Sequence, residues 1–402
     1  MSNNTSTFEG FLRNDGRKGI RNVVVVAYLV ECAHHVATEI RDSFRRQPVH
    51  LIGFGGCYPN AYADRMMNRL CTHPNVGAVL LLSLGCESFN RHELQKNIAV
   101  TGRPVHTVVI QQAGGTRKSI EAGTTWVEEA LQQIAGVPRA PMQMSDLVVG
   151  TVCGGSDATS GISANPAVGR AFDLLVEQGA AAIFEETGEM IGLGDAMSAR
   201  AITTELGREL KMSVDKAAYY YQKMGHASFA PGNADGGLTT IEEKSIGAYS
   251  KSGDAPITGL IKPGDIPRQR GLYLLDVVPD GEPRFGFPNI NDNAEIAELI
   301  ACGSHAVLFT TGRGSVVGSA ISPVIKICAN PETYDRMRDD MDVNAGKILR
   351  LQASIEEVGK EIYDKLLEVA SGAQSCSESL GHQEFVLTYK SFEPIGPHCL
   401  PI

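Results

Sequence analysis

The chain has 402 residues, which is long for a single hydrophobic core and predicts two or three domains. Its 36 basic and 46 acidic side chains give a net charge of −10, which argues against nucleic acid as the main partner. No apolar run of about 18 residues occurs and the N-terminus lacks the form of a signal peptide, so we expect a cytoplasmic protein without a membrane span.

A basic, glycine-punctuated segment precedes the first predicted strand, Val23–Val30. It carries four cations within nine residues: Arg13, Arg17, Lys18 and Arg21. Arginine forks match the geometry of a carboxylate, so Arg17 and Arg21 are candidates for holding an acidic ligand. For each side chain taken alone, a solvated loop is the better interpretation.

Strands and helices then alternate, which predicts an α/β protein: a parallel doubly wound, Rossmann-like sheet domain over residues 1–140, followed by a second α/β domain over 141–375. The segment 376–402 is predicted to be a tail that wraps the body or pairs with a partner, and we expect an oligomer. A dinucleotide site is disfavoured, because Glu31-Cys32-Ala33-His34 stands where the glycine motif would open a helix.

Four cysteines follow directly on the carboxyl ends of predicted strands: Cys32, Cys57, Cys86 and Cys153. In a parallel sheet those ends lie along one edge, so the thiols are predicted to converge on a metal or reactive site. Thiolates favour zinc, iron or iron–sulfur clusters. The alternative is that they are buried structural cysteines.

The most informative stretch is a predicted strand, a glycine loop and a helix over residues 147–175. Its loop places Cys153 together with the polar side chains of Ser156, Asp157, Thr159 and Asn165. Open α/β sheets bind ligands at such strand ends. The alternative is a tight turn that buries Cys153 as a small apolar side chain.

Three further groups follow in the chain. Glu185, Glu186 and Glu189 come directly after a predicted strand and suit a general base or a hard cation, or else a solvated helix cap. His226 lies in a long glycine-rich loop rather than on an apolar face, which favours a functional role. Arg313 lies in a second glycine loop after the predicted strand Ala306–Phe309, a weak signal for an anion cradle.

Several short sequence motifs, found in the same order along the chain, resemble those of the altronate and galactarate dehydratases. They run from residue 8 to 372: Gly10-Phe11-Leu12-Arg13, Leu84-Gly85-Cys86-Glu87, Cys153-Gly154-Gly155-Ser156-Asp157, Ala164-Asn165-Pro166, Pro231-Gly232-Asn233 and Thr310-Thr311-Gly312-Arg313-Gly314. Full-length members of that family carry a small β-rich domain before the first of these motifs. We therefore expect that domain to be missing or supplied as a separate small subunit, as in sulfolactate sulfo-lyase.

The resemblance implies removal of water from a sugar acid such as altronate or galactarate, giving a 2-keto-3-deoxy acid with the help of iron(II), with manganese(II) or an iron–sulfur cluster as variants. The residues fit that chemistry, since abstracting a proton next to a carboxylate needs a base and an electrophile. Glu186 or Glu189 is the predicted base, with His226 as the other candidate.

The remaining candidates divide between metal and substrate. Cys57, Cys86 and Cys153 are the predicted metal ligands, with Cys32 as a further one. Arg17, Arg21 and Arg313 are predicted to hold the carboxylate, and Ser156, Asp157, Thr159 and Asn165 the hydroxyls. Two alternatives stay open: a lyase that releases sulfite from a small 2-hydroxy acid such as sulfolactate, and a non-catalytic sugar-acid-binding protein.

Overall fold

A computed structural model describes residues 8–225, 228–283 and 291–392. Within these ranges the strands form three sheets. In chain order the strands are β1 Phe8–Leu12, β2 Lys18–Gly19, β3 Val23–Tyr28, β4 Val49–Gly53, β5 Val76–Ser83, β6 Val105–Val109, β7 Arg139–Met142, β8 Val148–Cys153, β9 Ala181–Phe184, β10 Ile257–Ile261, β11 Gly271–Leu275, β12 Ala306–Thr311, β13 Val324–Cys328 and β14 Val343–Asn344.

The helices cover both faces of the two larger sheets. In chain order they are α1 His34–Asp42, α2 Ala61–Cys71, α3 Arg91–Val100, α4 Ile110–Ala113, α5 Thr116–Ala135, α6 Ala164–Glu177, α7 Gly194–Ala199, α8 Thr204–Met224, α9 Pro231–Asp235, α10 Ile241–Tyr249, α11 Asp292–Ala301, α12 Pro331–Arg336, α13 Ile355–Ala370 and α14 Cys376–Leu380. Over the residues described, none of these helices combines the length and the apolar character that crossing a membrane requires.

The first domain is a four-stranded parallel sheet in the order β4-β3-β5-β6. Its central strand β3 is a run of valines, which suits a strand buried on both faces. Val24 and Val26 pack with α1 and α5, whereas Val23 and Val25 belong to the core that contains α2 and α3. The alternation of side chains along a strand therefore builds two cores around one sheet.

The second domain is a seven-stranded sheet in the order β10-β11-β9-β8-β12-β13-β14, with every pair of neighbours parallel. Helices α6 and α13 pack on one face, and α11 packs on the other. The core under α11 also contains α2 and α3 of the first domain, so the two domains share apolar contacts. The predicted α/β fold with parallel sheets in two domains is confirmed.

A small antiparallel sheet, in the order β2-β1-β7, lies at the junction of the two domains. Behind it, the buried Asn75 bonds to both domains: its Oδ1 accepts from the backbone N–H of Ile20 at 2.9 Å, and its Nδ2 donates to His305 O at 3.1 Å. The buried imidazole of His305 accepts from Val148 N–H through Nδ1 at 3.1 Å and contacts Lys18 O through Nε2 at 2.9 Å. These contacts satisfy backbone groups that the junction buries.

The segment after α14 returns along the shared core. The ammonium group of Lys390 lies 2.7 Å from Glu298 Oε1, and both side chains are fully buried. Tyr62 donates from its hydroxyl to the same Glu298 oxygen at 2.6 Å. The described part of the predicted tail thus packs against α2 of the first domain and α11 of the second.

His305 generates a prediction about pH. Burial, opposed by hydrogen bonding to Lys18 O, lowers the pKa of His305 from 6.5 to about 4. As the pH falls from 6.5 towards 4, His305 binds a proton in the unfolded chain but stays neutral in the folded chain, so the free energy of unfolding decreases. The loss attributable to His305 is on the order of 3 kcal/mol.

His305→Gln should therefore unfold with a flatter pH dependence between pH 6.5 and 4, even if its stability at pH 7 is lower. Urea unfolding at several pH values measures this, and the exposed His35→Gln is the matched control. An unchanged slope in His305→Gln would contradict the prediction.

Candidate active site

Three neighbouring strands bring the site together. Strands β9, β8 and β12 lie side by side and parallel, so their carboxyl ends share one edge. Cys153 is the last residue of β8, Glu186 follows β9, and Arg313 follows β12. All three line a cavity of about 530 Å³ at that edge.

A thiol and two carboxylates form the base of this cavity. The sulfur of Cys153 lies 3.0 Å from Glu186 Oε1, 3.5 Å from Glu189 Oε2 and 3.1 Å from Ser156 Oγ. The backbone N–H of Cys153 also donates to Glu186 Oε1 at 3.1 Å. Cys153, Glu186 and Glu189 are all buried. Within the described ranges they form the only group of three or more His, Cys, Asp or Glu residues whose possible ligand atoms all lie within 4.8 Å of one another.

Two buried lysines face these carboxylates. Lys251, which is 1% exposed, forms an ion pair with Glu186. Lys244 lies 2.5 Å from Glu189 Oε1 and donates to Ser228 O at 2.7 Å. Burial acts to lower the pKa of Lys244, but the surrounding acidic groups, Glu189 first among them, together outweigh burial and raise the pKa, so Lys244 remains charged.

The position of Lys251 depends on a close approach between two backbones. Lys251 lies in the single 3₁₀ turn Ser250–Ser252, which packs on α6 at Gly169. A β-carbon at Gly169 would overlap Ser250 O, so only glycine admits the turn. The ammonium group thereby reaches Glu186 from outside the sheet.

Glu186 itself has an unusual backbone conformation, with φ of 78°. A residue with a side chain rarely adopts this left-handed region, and such strain persists only where the surroundings enforce it. Here the side chain is fixed by Cys153 and Lys251. The strain therefore marks Glu186 as a residue held in place by its polar partners.

The two glycine loops are tied to each other. The carbonyl oxygen of Gly155 accepts from the N–H groups of Gly312 at 3.2 Å and of Arg313 at 2.9 Å. A β-carbon at Gly312 would overlap the carboxylate of Asp157, so the close approach requires glycine. Arg313 extends to Gly232 O at the cavity wall.

The opposite wall is acidic and belongs to α11. Burial and then Asp292 raise the pKa of Glu295 to about 8, so Glu295 carries a proton at neutral pH. Burial and then Glu189 raise the pKa of Asp292. Behind this wall, the fully buried Glu185 has no hydrogen-bond partner among the described residues, and burial followed by Glu295 raises its pKa well above the ordinary value. The acidic wall thus offers the cavity a carboxyl group, that of Glu295, which is protonated at neutral pH.

The thiol is also affected by burial. Burial, followed by the Glu189 carboxylate, raises the pKa of Cys153. The free thiol is therefore protonated at neutral pH, and a bound cation would be needed to hold it as the thiolate.

Five of the predicted site residues line this one cavity: Cys153, Ser156, Glu186, Glu189 and Arg313. Three others do not line it, although Asp157 and Asn165 line a smaller neighbouring cavity of about 200 Å³. Asp157 accepts from Thr159 N–H at 2.9 Å and from Asn330 Nδ2 at 3.1 Å, and Asn165 donates to Gly247 O at 3.0 Å. Asp157, Thr159 and Asn165 therefore hold the loops rather than face the cavity. His226 lies outside the described residues.

Arg17 and Arg21, which are predicted to hold a substrate carboxylate, lie away from this cavity. Arg17 pairs with Asp15 at 2.6 Å and donates to Thr72 O at 2.8 Å. Arg21 pairs with Glu378 at 2.6 Å and donates to Val369 O at 2.9 Å. Neither lines the cavity, because each guanidinium already has partners within the fold.

The expectation that four thiols share one sheet edge is wrong. Cys32, Cys57 and Cys86 follow β3, β4 and β5 of the four-stranded sheet and are exposed, whereas Cys153 ends β8 of the seven-stranded sheet. The chain leaves the first sheet after β6 and begins a new one at β8, so the strand ends do not form a single row. In the described structure the partners of Cys153 are carboxylates instead.

Sequence reasoning missed Lys244, Lys251, Asp292 and Glu295. Lysine and glutamate on helices are usually solvated, and their local sequence carries no sign of burial. The indirect signal is the pair of glycines Gly169 and Gly253, which allow the Lys251 turn to approach α6.

Comparison with known proteins gives two family matches. Residues 10–135 match the second domain of D-galactarate dehydratase/altronate hydrolase, and residues 144–392 match the C-terminal domain of D-galactarate/altronate dehydratase.

Three curated proteins are similar over most of the chain. The (2R)-sulfolactate sulfo-lyase subunit beta of Chromohalobacter salexigens is 33% identical over 95% of this chain and 97% of that protein. Altronate dehydratase of Bacillus subtilis is 31% identical over 92% of this chain and 75% of that protein. Galactarate dehydratase (L-threo-forming) of Escherichia coli is 33% identical over 91% of this chain and 73% of that protein.

The buried ion pair predicts a large stability effect. Lys251→Met leaves the Glu186 carboxylate buried without a counter-charge, so the free energy of unfolding should fall by about 3–5 kcal/mol. Urea unfolding of chelator-treated protein measures the loss, since a bound cation would replace the missing charge.

Lys360→Met is the matched control, because Lys360 pairs with Asp364 on the surface, where the side chains are 58% and 50% exposed. Its loss should stay at about 0–1 kcal/mol. Equal losses of unfolding free energy in the two variants would contradict the prediction, because the buried pair would then contribute no more to stability than the surface pair.

Proposed function

Because the chain belongs to the D-galactarate/altronate dehydratase family, we propose that it removes water from a sugar acid such as altronate or galactarate, giving a 2-keto-3-deoxy acid. The observation that carries the proposal is the group Cys153, Glu186 and Glu189 at the base of a cavity with a cationic side and an acidic wall. Binding alone would not require a thiol and several buried carboxyl groups at one point.

A divalent metal ion fits this donor set. Cys153, Glu186 and Glu189 would hold it, and the mixture of one sulfur and two carboxylates favours iron(II) over magnesium. Its positive charge would also stabilise the thiolate that burial disfavours. When bound, the ion supplies Lewis-acid stabilisation of the negative charge that develops on the substrate.

The cationic side of the cavity holds and orients the acid. Arg313 and Lys244 line the cavity and bear charge opposite to that of a substrate carboxylate. Ser156 lines the same cavity and offers a hydroxyl to the polyol chain. In this proposal the carbon next to the carboxylate faces the acidic wall.

The acidic wall performs the two proton transfers. Asp292, whose raised pKa makes it a better base, takes the proton from the carbon next to the carboxylate. Glu295, which is protonated at neutral pH, gives its proton to the departing hydroxyl group on the next carbon, so water leaves and the enol becomes the keto acid. This replaces Glu186 and Glu189 as the base, because both belong to the metal-binding group.

A second candidate is elimination of sulfite from a small acid such as sulfolactate. The observation in its favour is the match over 97% of the sulfolactate sulfo-lyase beta subunit, against 75% and 73% of the two dehydratases. A separate small subunit would then complete the enzyme. Sulfite leaves as an anion and needs no proton, so Glu295 would matter less for that reaction.

The first test concerns the metal group. Cys153→Ser should lose both bound iron and turnover, since a hydroxyl is a poorer ligand for iron(II) than a thiolate. Metal analysis of anaerobically purified protein should give about one iron per chain for the intact enzyme, whereas about three or four would indicate an iron–sulfur cluster.

Cys57→Ser and Cys86→Ser are the matched controls, as both thiols are exposed on the other sheet. Both variants should keep iron and activity. Loss of iron in either variant would support the hypothesis that the thiols of the first domain are metal ligands. Asp292→Asn should keep iron but lose turnover by about 10²-fold or more, which separates proton transfer from metal binding.

The second test concerns the substrate. Purified chain with iron(II) and reductant, with and without a candidate β-rich partner, should form keto acid from altronate or galactarate and release no sulfite from sulfolactate. Keto-acid and sulfite assays measure the two products. Sulfite release without sugar-acid turnover would favour the second candidate, and turnover of none would favour a binding protein.

A further inference from the structure

A second large cavity lies on the other side of the sheets from the candidate active site. It has a volume of about 640 Å³ and is bounded by Val23 at the start of β3, Pro48 before β4, Ser322 before β13 and the segment 372–383. These are the amino ends of strands, whereas the candidate active site lies at carboxyl ends. The two cavities share no lining residue.

Four arginines line this second cavity, which we call the basic cavity: Arg21, Arg45, Arg46 and Arg139. Among its described lining residues Glu378 is the only acidic one. Arg21 cancels that charge, because its Nε and Nη2 lie 2.6 Å and 2.8 Å from the two oxygens of Glu378. Three guanidinium groups remain.

The remaining guanidinium groups are available to a ligand. Arg46 has no hydrogen bond or ion pair with any residue in the described ranges. Arg45 reaches Asp42 at 3.0 Å, but its side chain is 76% exposed, so that pair is weak. Arg139 lies 4.3 Å above the ring of Phe11 and donates only to an uncharged acceptor, Glu9 O, at 3.2 Å.

The cavity is locally positive although the chain as a whole has a net charge of −10. Like charges gathered around one cavity repel, and an anion between them would remove that repulsion. The arginine fork matches phosphate and carboxylate groups, and the cavity volume is that of a small-molecule site. Burial lowers the pKa of His50, which also lines the cavity, so the arginines rather than this imidazole carry the charge at neutral pH.

We propose that the basic cavity binds a small polyanion, a molecule that carries two or more phosphate or carboxylate groups. Such a ligand would touch the first domain through the residues around Val23, the second domain through Ser322, and the segment around α14. It would be distinct from the acid that the candidate active site converts, because the two cavities open at different edges of the sheets. The proposal does not depend on the proposed function.

Calorimetric titration of the full, metal-free chain with pyrophosphate and with citrate tests the proposal. At low ionic strength we expect saturable binding of one ligand per chain, which weakens as salt is added. The double variant Arg45→Gln/Arg46→Gln should bind at least about tenfold more weakly. Tighter binding of pyrophosphate identifies phosphate as the natural group, and tighter binding of citrate identifies carboxylate.

Two control variants make the result specific. Arg208→Gln removes a 68% exposed arginine on α8 and should bind like the unmodified chain. Arg313→Gln removes one of the cations of the candidate active site and should also keep the binding at the basic cavity. If neither anion binds, if Arg45→Gln/Arg46→Gln leaves binding unchanged, or if only Arg313→Gln abolishes it, the proposal is overturned.

Discussion

Two ion pairs inside the protein determine the character of the candidate active site. Lys251 and Lys244 bring positive charge to Glu186 and Glu189, which would otherwise be buried beside a thiol at high cost. Each lysine reaches its partner from outside the seven-stranded sheet, on α10 or in the turn that follows it. The site therefore exists only when that segment is packed against the strand ends.

The order of strands in the second sheet supplies the other half of the arrangement. Because β9, β8 and β12 are neighbours, a thiol, a carboxylate and a guanidinium from distant segments line one cavity. The acidic wall comes from α11, which packs in the core that both domains share. Contacts between the domains thus help to fix Asp292 and Glu295 relative to Cys153.

Sequence reasoning succeeded where residues lie close together in the chain. The motifs around Cys153 and Arg313 predicted membership of the altronate and galactarate dehydratases, and that prediction is confirmed. The prediction of an enzyme of the carbon–oxygen lyase class is confirmed as well. Sequence reasoning did not reveal that Arg17 and Arg21 lie apart from the candidate active site, because a cluster of cations in sequence does not show that each has a partner within the fold.

The sequence by itself determined the α/β alternation, the strand ends that carry reactive side chains, and the family. Periodicity and glycine loops are local properties, which a linear pattern records. Only the tertiary structure decided that Cys153 belongs to a different sheet from Cys57 and Cys86, and that Lys251 lies next to Glu186. Strand order and the burial of a charged side chain depend on segments far apart in the chain, so no local pattern encodes them.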